Sequence, residues 1–375
     1  MRVVLFANTD WYLYNFRRSL ALSLQQAGHD VLLLSPEGAH GEKLRSLGLR
    51  WQPFRLERRS LNPLREAGVL YRLVRILRQE RPDLVHGFTV KCAVYGSLAA
   101  RIAGVPARVN AVAGMGYVFT SSSVKARILR PIVRTLLKLA LGGSRVRLIL
   151  QNPDDVELFT QARLIAPSEI RLIRGSGVDC DLFSPSQRPA SRPVRVLLPA
   201  RLLWDKGLAE YVEAARSLKA EGCHIEFLLA GDPDPGNPAS VPDTTARGWV
   251  KEGVVSWLGR VDDMASLFRS VQVVCLPSYR EGLPKSLIEA GACGCALVTT
   301  DVPGCREVVT NDVDGLRIPA RDAIALGAAL RRLYLDPHLC ERLGRAAREK
   351  AVREFDVKRI NTLTLRVYEE LLENP

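Results

Sequence analysis

Residues 271–299, VQVVCLPSYREGLPKSLIEAGACGCALVT, contain the pattern that decides the fold. The apolar run at residues 271–276 predicts a buried strand, and a polar loop follows it. A helical pattern then begins near Pro284, because proline suits an early helical position where its missing N–H would have no partner. The apolar run at residues 296–299 predicts the next strand. Strand, helix and strand in this order build a parallel sheet with helices packed on its faces.

The same alternation occurs in both halves of the chain. Apolar runs at residues 3–6, 31–34 and 84–85 alternate with helical patterns. The same alternation begins again with the apolar run at residues 194–198. The run at residues 3–6 is too short for a secretion signal and predicts a first strand. The sequence therefore predicts an α/β protein of two facing, Rossmann-like, doubly wound domains, with an interdomain cleft at the carboxyl ends of both sheets.

The segment SPSQRPASRP, residues 184–193, separates the two halves. Its three prolines and three serines disfavour both a helix and a central strand. We therefore predict an N-terminal domain over residues 1–183, a linker over residues 184–193 and a second domain over residues 194–355. The helical pattern of residues 356–375 predicts a C-terminal helix that packs back on the first domain.

The net charge is concentrated in the first half. The 375 residues carry 53 Lys and Arg against 40 Asp and Glu, a formal net charge of +13. Residues 1–175 hold 27 basic and 12 acidic side chains, a net charge of +15, whereas the remaining residues hold 26 basic and 28 acidic ones, a net charge of −2. This distribution predicts that the first domain meets an anionic partner and that the second domain is electrically neutral.

The cysteines and the apolar stretches exclude several classes of protein. Eight cysteines are scattered through apolar patterns, which is typical of a reduced, cytoplasmic chain. Cys293 and Cys295 are too close for a CxxC zinc site, and the five histidines do not cluster with them, so we expect no metal. No uncharged apolar stretch of 18 residues occurs, so no membrane span is predicted.

Two pairs of charged residues in the second half predict a binding site. Glu281 lies in the loop before the predicted helix and Glu289 lies within it, among uncharged neighbours that predict a buried carboxylate with a partner. Arg201 and Lys206, in PARLLWDKG, follow the first strand of that half, where two cations suit a diphosphate. Each pair alone would also fit a solvated surface.

These motifs resemble those of the retaining glycosyltransferases of family 4, which have the GT-B fold. The resemblance covers nearly the whole chain, because GSGVDCDLFSP (175–185) is similar to the family's turn into the second domain. LLAGD (228–232) and WLGRVDDM (257–264) are similar to its nucleotide-binding loops. The resemblance implies a transferase that moves a hexose or N-acetylhexosamine from a UDP-sugar.

Roles for individual residues follow from the resemblance alone. Arg201 and Lys206 would hold the donor diphosphate and neutralise it as a leaving group. Glu281 would face the donor hexose, and Glu289 would bind the ribose hydroxyls. The other residues expected at the donor are Gly231, Arg260, Val261, Gly282, Leu283, Pro284 and Lys285.

The family's chemistry implies that neither a cofactor nor a metal is needed. Retention is attributed to front-face attack, in which the departing phosphate oxygen takes the proton of the acceptor. Two Asp-x-Asp triplets, residues 179–181 and 232–234, suggest the alternative of a metal-dependent, single-domain glycosyltransferase. We set this alternative aside because both triplets lie in loops that the resemblance already explains.

Three loops of the first half are similar to the subgroup that elongates undecaprenyl-diphosphate sugars, including bacterial N-acetylgalactosaminyltransferases. They are NTDWYLYNFRR (8–18), HGFTVK (86–91) and AGMGYVF (113–119). The implied acceptor is therefore a polyprenyl-diphosphate-linked sugar. The residues predicted to bind it are Arg17, His86, Lys91, Gly114 and Gly116, with Arg17 and Lys91 on the diphosphate. His86 would either contact the sugar or be a hydrogen-bonded structural residue. Many relatives carry a second histidine where this chain has Phe88, so the resemblance does not decide whether His86 is catalytic.

The segment SVKARILRPIVRTLLKLA, residues 123–140, predicts an amphipathic helix with a basic side and an apolar side. The segment at residues 64–79 repeats this pattern with Arg72, Arg75 and Arg78. Such helices suit an anionic lipid surface, and they equally suit ordinary packing on a sheet. We expect a cytoplasmic protein that is peripheral on the inner face of the cytoplasmic membrane.

Three alternatives remain at this point. A nucleotide-sugar 2-epimerase shares the fold but should be near-neutral and lack acceptor loops. A glycosyltransferase could act on a soluble acceptor instead of a lipid. A basic-groove nucleic-acid binder would fit the charge but would leave Glu281 and Glu289 without a role, so nucleic acid is not expected as a partner.

Overall fold

The computed structural model describes residues 1–57, 62–112, 124–186 and 193–373. These residues form two compact units, one of residues 1–176 with 358–375 and one of residues 177–357. Each unit contains one parallel sheet covered by helices, so the predicted α/β class with two doubly wound sheets is confirmed.

The first unit is built on a seven-stranded parallel sheet. Its strands are β1 (Arg2–Phe6), β2 (Asp30–Ser35), β3 (Arg50–Pro53), β4 (Leu84–Phe88), β5 (Ala107–Ala111), β6 (Val146–Leu150) and β7 (Ile170–Leu172). Its helices are α1 (Asp10–Tyr12), α2 (Arg18–Gln26), α3 (Gly41–Ser46), α4 (Pro63–Glu80), α5 (Thr89–Ala103), α6 (Val124–Leu141) and α7 (Pro153–Gln161). The strand order β3-β2-β1-β4-β5-β6-β7 reverses direction between β1 and β4.

The second unit is built on a six-stranded parallel sheet. Its strands are β8 (Val194–Pro199), β9 (Ile225–Ala230), β10 (Ser256–Trp257), β11 (Val273–Leu276), β12 (Ala296–Thr300) and β13 (Leu316–Ile318). Its helices are α8 (Leu208–Ala220), α9 (Asp243–Lys251), α10 (Met264–Arg269), α11 (Lys285–Ala292), α12 (Cys305–Val308), α13 (Ala323–Leu335) and α14 (Pro337–Phe355). The order β10-β9-β8-β11-β12-β13 reverses between β8 and β11.

The central strands are buried on both faces, which explains why they are continuous apolar runs rather than alternating ones. All five residues of β4, β5 and β12 are buried, as are all four of β11. In the first unit, α4 and α5 pack on one face of the sheet, and α2 and α3 pack on the other. Both points where the strand order reverses are places where doubly wound sheets bind ligands, outside the carboxyl ends of the strands.

The last helix, α15 (Val357–Glu373), belongs to the first unit from Lys358 onward. Its Ile360, Val367, Tyr368 and Leu371 join the apolar cluster formed by β1, α2 and α3. This helix therefore packs with the first half of the chain although it follows the second half in sequence.

The boundary between the units differs from the predicted one. Residues 177–183, which we predicted in the first domain, belong to the second unit. The Val178 N–H donates to the Phe355 carbonyl and the Val357 N–H donates to the Val178 carbonyl, both at 2.9 Å. Arg348 donates to the carbonyls of Cys180 and Phe183. These bonds to α14 and to Val357, the first residue of α15, fix the segment in the second unit. The proline-rich residues follow this segment, and 187–192 lie outside the described residues.

Over the ranges that the structure describes, no helix combines the length and the apolar character that a membrane crossing requires.

Candidate functional site

The loops that follow β8 and β11 touch at the reversal point of the second sheet. A short 3₁₀ turn, Trp204–Lys206, ends at Gly207, which has φ of +73°. A Cβ atom at Gly207 would lie 2.2 Å from the Pro277 carbonyl oxygen, so only glycine permits this approach. The Tyr279 N–H also donates to the Asp205 carbonyl at 2.9 Å. Lys206 is thereby held against the loop that contains Glu281.

Lys206 and Glu281 form a partly buried ion pair. The Lys206 Nζ donates to Glu281 Oε1, and their side chains are 19% and 14% exposed. The Ser278 hydroxyl donates to the same carboxylate oxygen at 2.7 Å. The Thr300 hydroxyl in turn donates to the Ser278 carbonyl. The structure therefore brings together two residues that the sequence analysis assigned to the donor diphosphate and the donor hexose.

The backbone around Glu281 is also fixed by a glycine. Gly304 has φ of +79°, and a Cβ atom there would lie 2.6 Å from the carbonyl oxygens of both Glu281 and Gly282. The Glu281 N–H donates to the Pro303 carbonyl at 3.3 Å. Gly304 therefore lets the segment after β12 lie directly against the loop after β11.

Glu289 is mostly buried on α11, in the direction that its uncharged neighbours predicted. Its side chain is 13% exposed and accepts an ion pair from Lys285, one turn earlier, at 3.1 Å. Burial raises the pKa of Glu289 above its ordinary value, and the Lys285 charge opposes this rise. Leu283 and Pro284 lie between Glu281 and Lys285, immediately before α11 begins. Glu289 thus sits one to two turns into the helix that follows the Glu281 loop.

Arg201 is separate from the Lys206 and Glu281 pair. Its side chain is 60% exposed and donates to Asp234 Oδ2 at 2.5 Å, in the loop after β9. This carboxylate also accepts from the Asn237 amide at 3.2 Å. Of the two cations predicted to bind the diphosphate, Arg201 is therefore paired with the loop after β9, whereas Lys206 is paired with the loop after β11.

Glycine allows the loops after β8, β9 and β10 to approach one another. Gly231 has φ of +142°, and a Cβ atom there would lie 2.1 Å from the Ala200 carbonyl oxygen. The Gly231 N–H donates to the Gly259 carbonyl at 2.7 Å. Arg260, next to Val261, is exposed and pairs with Asp262 at 3.1 Å. The predicted nucleotide loops thus lie side by side at the carboxyl edge of the sheet.

The described residues contain no group of three or more His, Cys, Asp or Glu side chains arranged to hold a metal ion.

In the first unit, Arg17 is buried at the reversal point of the sheet. The chain after β1 enters α1, capped by Thr9, and then a π-helical segment, Leu13–Arg17, before α2. Such wide turns insert an extra residue into a helix and are frequent at functional sites. Arg17 is 4% exposed, and its guanidinium carbon lies 4.3 Å from the centre of the Phe88 ring. It donates to the Tyr12 hydroxyl at 3.2 Å, while its Nε has no partner among the described residues.

His86 lies on β4, beside the same ring. It is fully buried, and its ring centre is 4.0 Å from that of Phe88. Its Nδ1 is 2.6 Å from the Tyr368 hydroxyl, and its Nε2 has no partner among the described residues. Burial, and secondarily the Arg17 charge, hold the pKa of His86 well below its ordinary value. The imidazole is therefore neutral at physiological pH.

Lys91 contacts a different set of residues. On α5, its Nζ donates to Glu66 on α4 at 2.9 Å and to the Glu57 carbonyl at 2.6 Å. The contacts given for Lys91 lie on Glu57, Glu66 and the Tyr95 ring, whereas those given for Arg17 lie on Tyr12 and Phe88. The two other predicted acceptor residues, Gly114 and Gly116, lie outside the described residues.

Three residues at these sites were missed by the sequence analysis. Ser278 and Gly304 lie within the motif around Glu281, and their roles depend on backbone geometry that a spacing does not reveal. Tyr368 is 282 residues from His86 in the chain, and no local pattern marks it.

Two family models match the chain. The glycosyl transferases group 1 model matches residues 181–350, and the glycosyl transferase 4-like model matches residues 2–152. Together they cover most of both units. Both models describe glycosyltransferases, so the predicted resemblance is confirmed and the chain is a glycosyltransferase. Neither the epimerase nor the nucleic-acid binder is favoured.

Two curated relatives match along all or most of the chain. The N,N'-diacetylbacillosaminyl-diphospho-undecaprenol alpha-1,3-N-acetylgalactosaminyltransferase of Campylobacter jejuni is 28% identical, and the match covers 100% of both chains. The UDP-Gal:alpha-D-GlcNAc-diphosphoundecaprenol alpha-1,3-galactosyltransferase of Escherichia coli is 26% identical over 81% of this chain and 80% of its own length.

Solved structures share the fold. A sucrose-phosphate synthase from Thermosynechococcus elongatus superposes with a TM-score of 0.80 at 21% identity and covers 100% of both chains. Anabaena HepE in complex with UDP superposes with a TM-score of 0.79 at 19% identity, over 99% of this chain and 100% of that one. The fold is GT-B, as predicted.

Proposed function

We propose that this protein is a retaining, metal-independent glycosyltransferase. It transfers a hexose or N-acetylhexosamine from a UDP-sugar to a polyprenyl-diphosphate-linked sugar in the assembly of a cell-surface glycan. The observation that carries the proposal is the Lys206–Glu281 pair at the reversal point of the second sheet. The relatives from Campylobacter jejuni and Escherichia coli support the acceptor, since both are named for diphospho-undecaprenol sugars. The second is also named for a UDP-sugar donor.

The second unit binds the donor in this proposal. Lys206 donates to an oxygen of the donor diphosphate, and Arg201 turns from Asp234 to do the same. Glu281 accepts from a hydroxyl of the hexose, and Glu289 accepts from the ribose. The two cations stabilise the charge that develops on the leaving UDP. A metal ion has this role in metal-dependent glycosyltransferases.

The bonds change on one face of the sugar. The acceptor hydroxyl oxygen forms a bond to the anomeric carbon while the bond from that carbon to the phosphate oxygen breaks. The departing phosphate oxygen takes the proton of the acceptor hydroxyl, so the products are UDP and the extended lipid-linked sugar with the anomeric configuration retained. No side chain has to act as a base.

Arg17 supports a phosphate-bearing acceptor. Its guanidinium is 4% exposed, and its described contacts are a phenol and two aromatic rings rather than a carboxylate. Burying a charge without a counter-ion costs several kcal/mol, because the ion loses its hydration. An acceptor diphosphate at this position supplies the missing negative charge.

The surface of α5 and α6 supports the proposal of a peripheral position on the inner face of the cytoplasmic membrane. A pocket of about 580 Å³ between these helices is lined by Arg101, Arg134 and Lys138, with no carboxylate among its lining residues. Ile132 and Leu139 are exposed on α6, at 54% and 51%. Cations beside exposed apolar side chains match anionic headgroups and the acyl boundary beneath them.

A donor and acceptor screen tests the function. Purified protein is incubated with UDP-GalNAc, UDP-Gal, UDP-GlcNAc or a GDP-sugar, with and without an undecaprenyl-diphosphate sugar, and UDP release and lipid product are measured. We expect release that requires the lipid-linked sugar, an axial anomeric linkage by NMR and no loss with EDTA. Transfer to free sugars alone would refute the proposal that the acceptor is a polyprenyl-diphosphate-linked sugar. Interconversion of the UDP-sugar without an acceptor would instead identify an epimerase.

A further inference from the structure

Tyr368 is held rigidly beside His86. Its ring is fully buried and meets the imidazole edge-on, with 5.6 Å between centres. The helix that carries it, α15, is anchored on both sides of Tyr368. Asn361 donates to the Ser19 hydroxyl at 3.1 Å, and Glu370 accepts from Arg147 at 3.2 Å and from Arg171 at 3.0 Å. The hydroxyl therefore has a fixed position relative to β4.

The proton of this hydrogen bond belongs to Tyr368. Burial raises the pKa of Tyr368 well above its ordinary value, so the hydroxyl stays protonated. Among the described residues, His86 Nδ1 is the one hydrogen-bond partner given for the Tyr368 hydroxyl, at 2.6 Å. If Nδ1 carried the proton, the buried O–H would have no acceptor among the described residues, so the contact favours donation from the hydroxyl to the Nδ1 lone pair. Nδ1 is therefore the acceptor.

The proton of His86 must then lie on its other nitrogen. A neutral imidazole carries one N–H, so an imidazole that accepts at Nδ1 donates at Nε2. That Nε2 and the Nε of Arg17 are both buried, and neither has a partner among the described residues. Both groups lie against the Phe88 ring. The reversal point of the first sheet therefore presents two N–H donors that suit a phosphate or sugar oxygen.

We propose that Tyr368 is a positioning residue that fixes His86 in the Nε2–H tautomer, so that His86 donates a hydrogen bond to a substrate oxygen and does not accept its proton. The substrate part of this proposal rests on the proposed glycosyltransferase function. The tautomer itself does not, because it is a property of the free protein.

Nitrogen NMR on the full chain tests the tautomer. Long-range proton–nitrogen correlations are recorded on protein labelled at the histidines, with His86 assigned from a His86→Gln sample. We expect wild type to show Nε2 protonated and Nδ1 bare, and Tyr368→Phe to show a mixture of tautomers. Tyr211→Phe is the matched control, because it removes another buried hydroxyl, one that bonds to the Val196 carbonyl at 2.8 Å in the second unit. It should leave the His86 signals unchanged.

Kinetics test the role. Tyr368→Phe should lower kcat about tenfold, the size of one lost hydrogen bond, with the KM for the UDP-sugar unchanged. His86→Gln keeps an N–H donor but cannot take a proton, and we expect it to retain activity within about tenfold of wild type. A loss of several orders of magnitude in His86→Gln would identify His86 as a base and overturn the proposal, as would a protonated Nδ1 in wild type. Absence of any transfer by wild type would refute the proposed function and leave the tautomer result standing.

Discussion

Lys206 donates a hydrogen bond to Glu281 across 75 residues of chain, and the contact joins the loops after two adjacent strands, β8 and β11. The two side chains are mostly buried and are backed by the Ser278 hydroxyl. A substrate with a diphosphate and a hexose can bind both residues at once, with Lys206 on the phosphate and Glu281 on the sugar. This relationship makes the pair the first target for substitution.

Lys206→Ala should lower kcat by about 10² to 10³, because the leaving diphosphate loses a charge that is fixed in place before the reaction. Glu281→Ala should lower turnover by a similar factor through loss of the hexose contact. Circular dichroism should show an intact fold in both. Steady-state release of UDP measures the effect.

A matched control is Arg216→Ala in the same unit. Arg216 pairs with Glu252 at 2.7 Å on the surface, so its loss should change stability by at most about 1 kcal/mol and leave turnover unchanged. Near-normal activity in Lys206→Ala would remove Lys206 from the diphosphate site.

Glu289→Gln should change the pH dependence of stability. A carboxyl whose pKa is raised by folding binds more protons in the folded state, so its contribution to stability is lost as pH rises above the ordinary value of 4.5. The variant lacks this titration. Its free energy of unfolding, relative to that of wild type, should therefore increase between about pH 4 and pH 7.

Urea unfolding at several pH values measures this difference, and calorimetry with UDP measures the accompanying loss of ribose binding. A difference in stability that stays constant with pH would show that Glu289 titrates normally in the folded protein. Unchanged affinity of the variant for UDP would show that Glu289 does not bind the ribose.

Arg17→Met should weaken binding of the acceptor without destabilising the fold. The guanidinium is buried without a carboxylate partner among its described contacts, so an apolar side chain of similar length should be neutral or stabilising. The KM for the polyprenyl-diphosphate sugar should rise about 10-fold to 100-fold, as expected for the loss of a charge-assisted bond to phosphate.

Arg18→Met, at the next position of the chain, is the control, because Arg18 lies over the Tyr14 ring instead. Thermal unfolding and acceptor titrations of both variants distinguish the roles. An Arg17→Met protein with a much lower Tm and a normal acceptor KM would identify Arg17 as a structural residue.

Neutralising Arg127, Arg130 and Arg134 together should weaken binding to anionic liposomes. Each cation near such a surface contributes about 1 kcal/mol, and the effect should shrink as salt is added. Co-sedimentation with vesicles of phosphatidylglycerol, against neutral phosphatidylcholine, measures it at several salt concentrations.

The same number of charges removed from the second unit, at Arg331, Arg342 and Arg345, provides the control. All three are exposed. Equal sedimentation of wild type and the α6 variant would rule out membrane docking by α6.

Some features were predictable because they are local. Periodic apolar runs predicted both sheets, since a strand or helix is recognised within a few residues. The uncharged neighbours of Glu289 predicted its burial, and the loop position of Glu281 followed from the proline that precedes α11. The domain boundary was misplaced because the proline-rich segment is visible in sequence, whereas the bonds from Val178 to Phe355 and Val357 are not.

The sequence by itself therefore determined the two α/β sheets, the basic first half and the residue types around Glu281, all of which depend on short-range pattern or on composition. The tertiary structure alone decided which charges meet. It pairs Lys206 with Glu281, Arg201 with Asp234 and Lys91 with Glu66. It also places the Tyr368 hydroxyl on His86. Such contacts depend on where parallel strands end and how helices pack, and these positions are set by the folded chain as a whole.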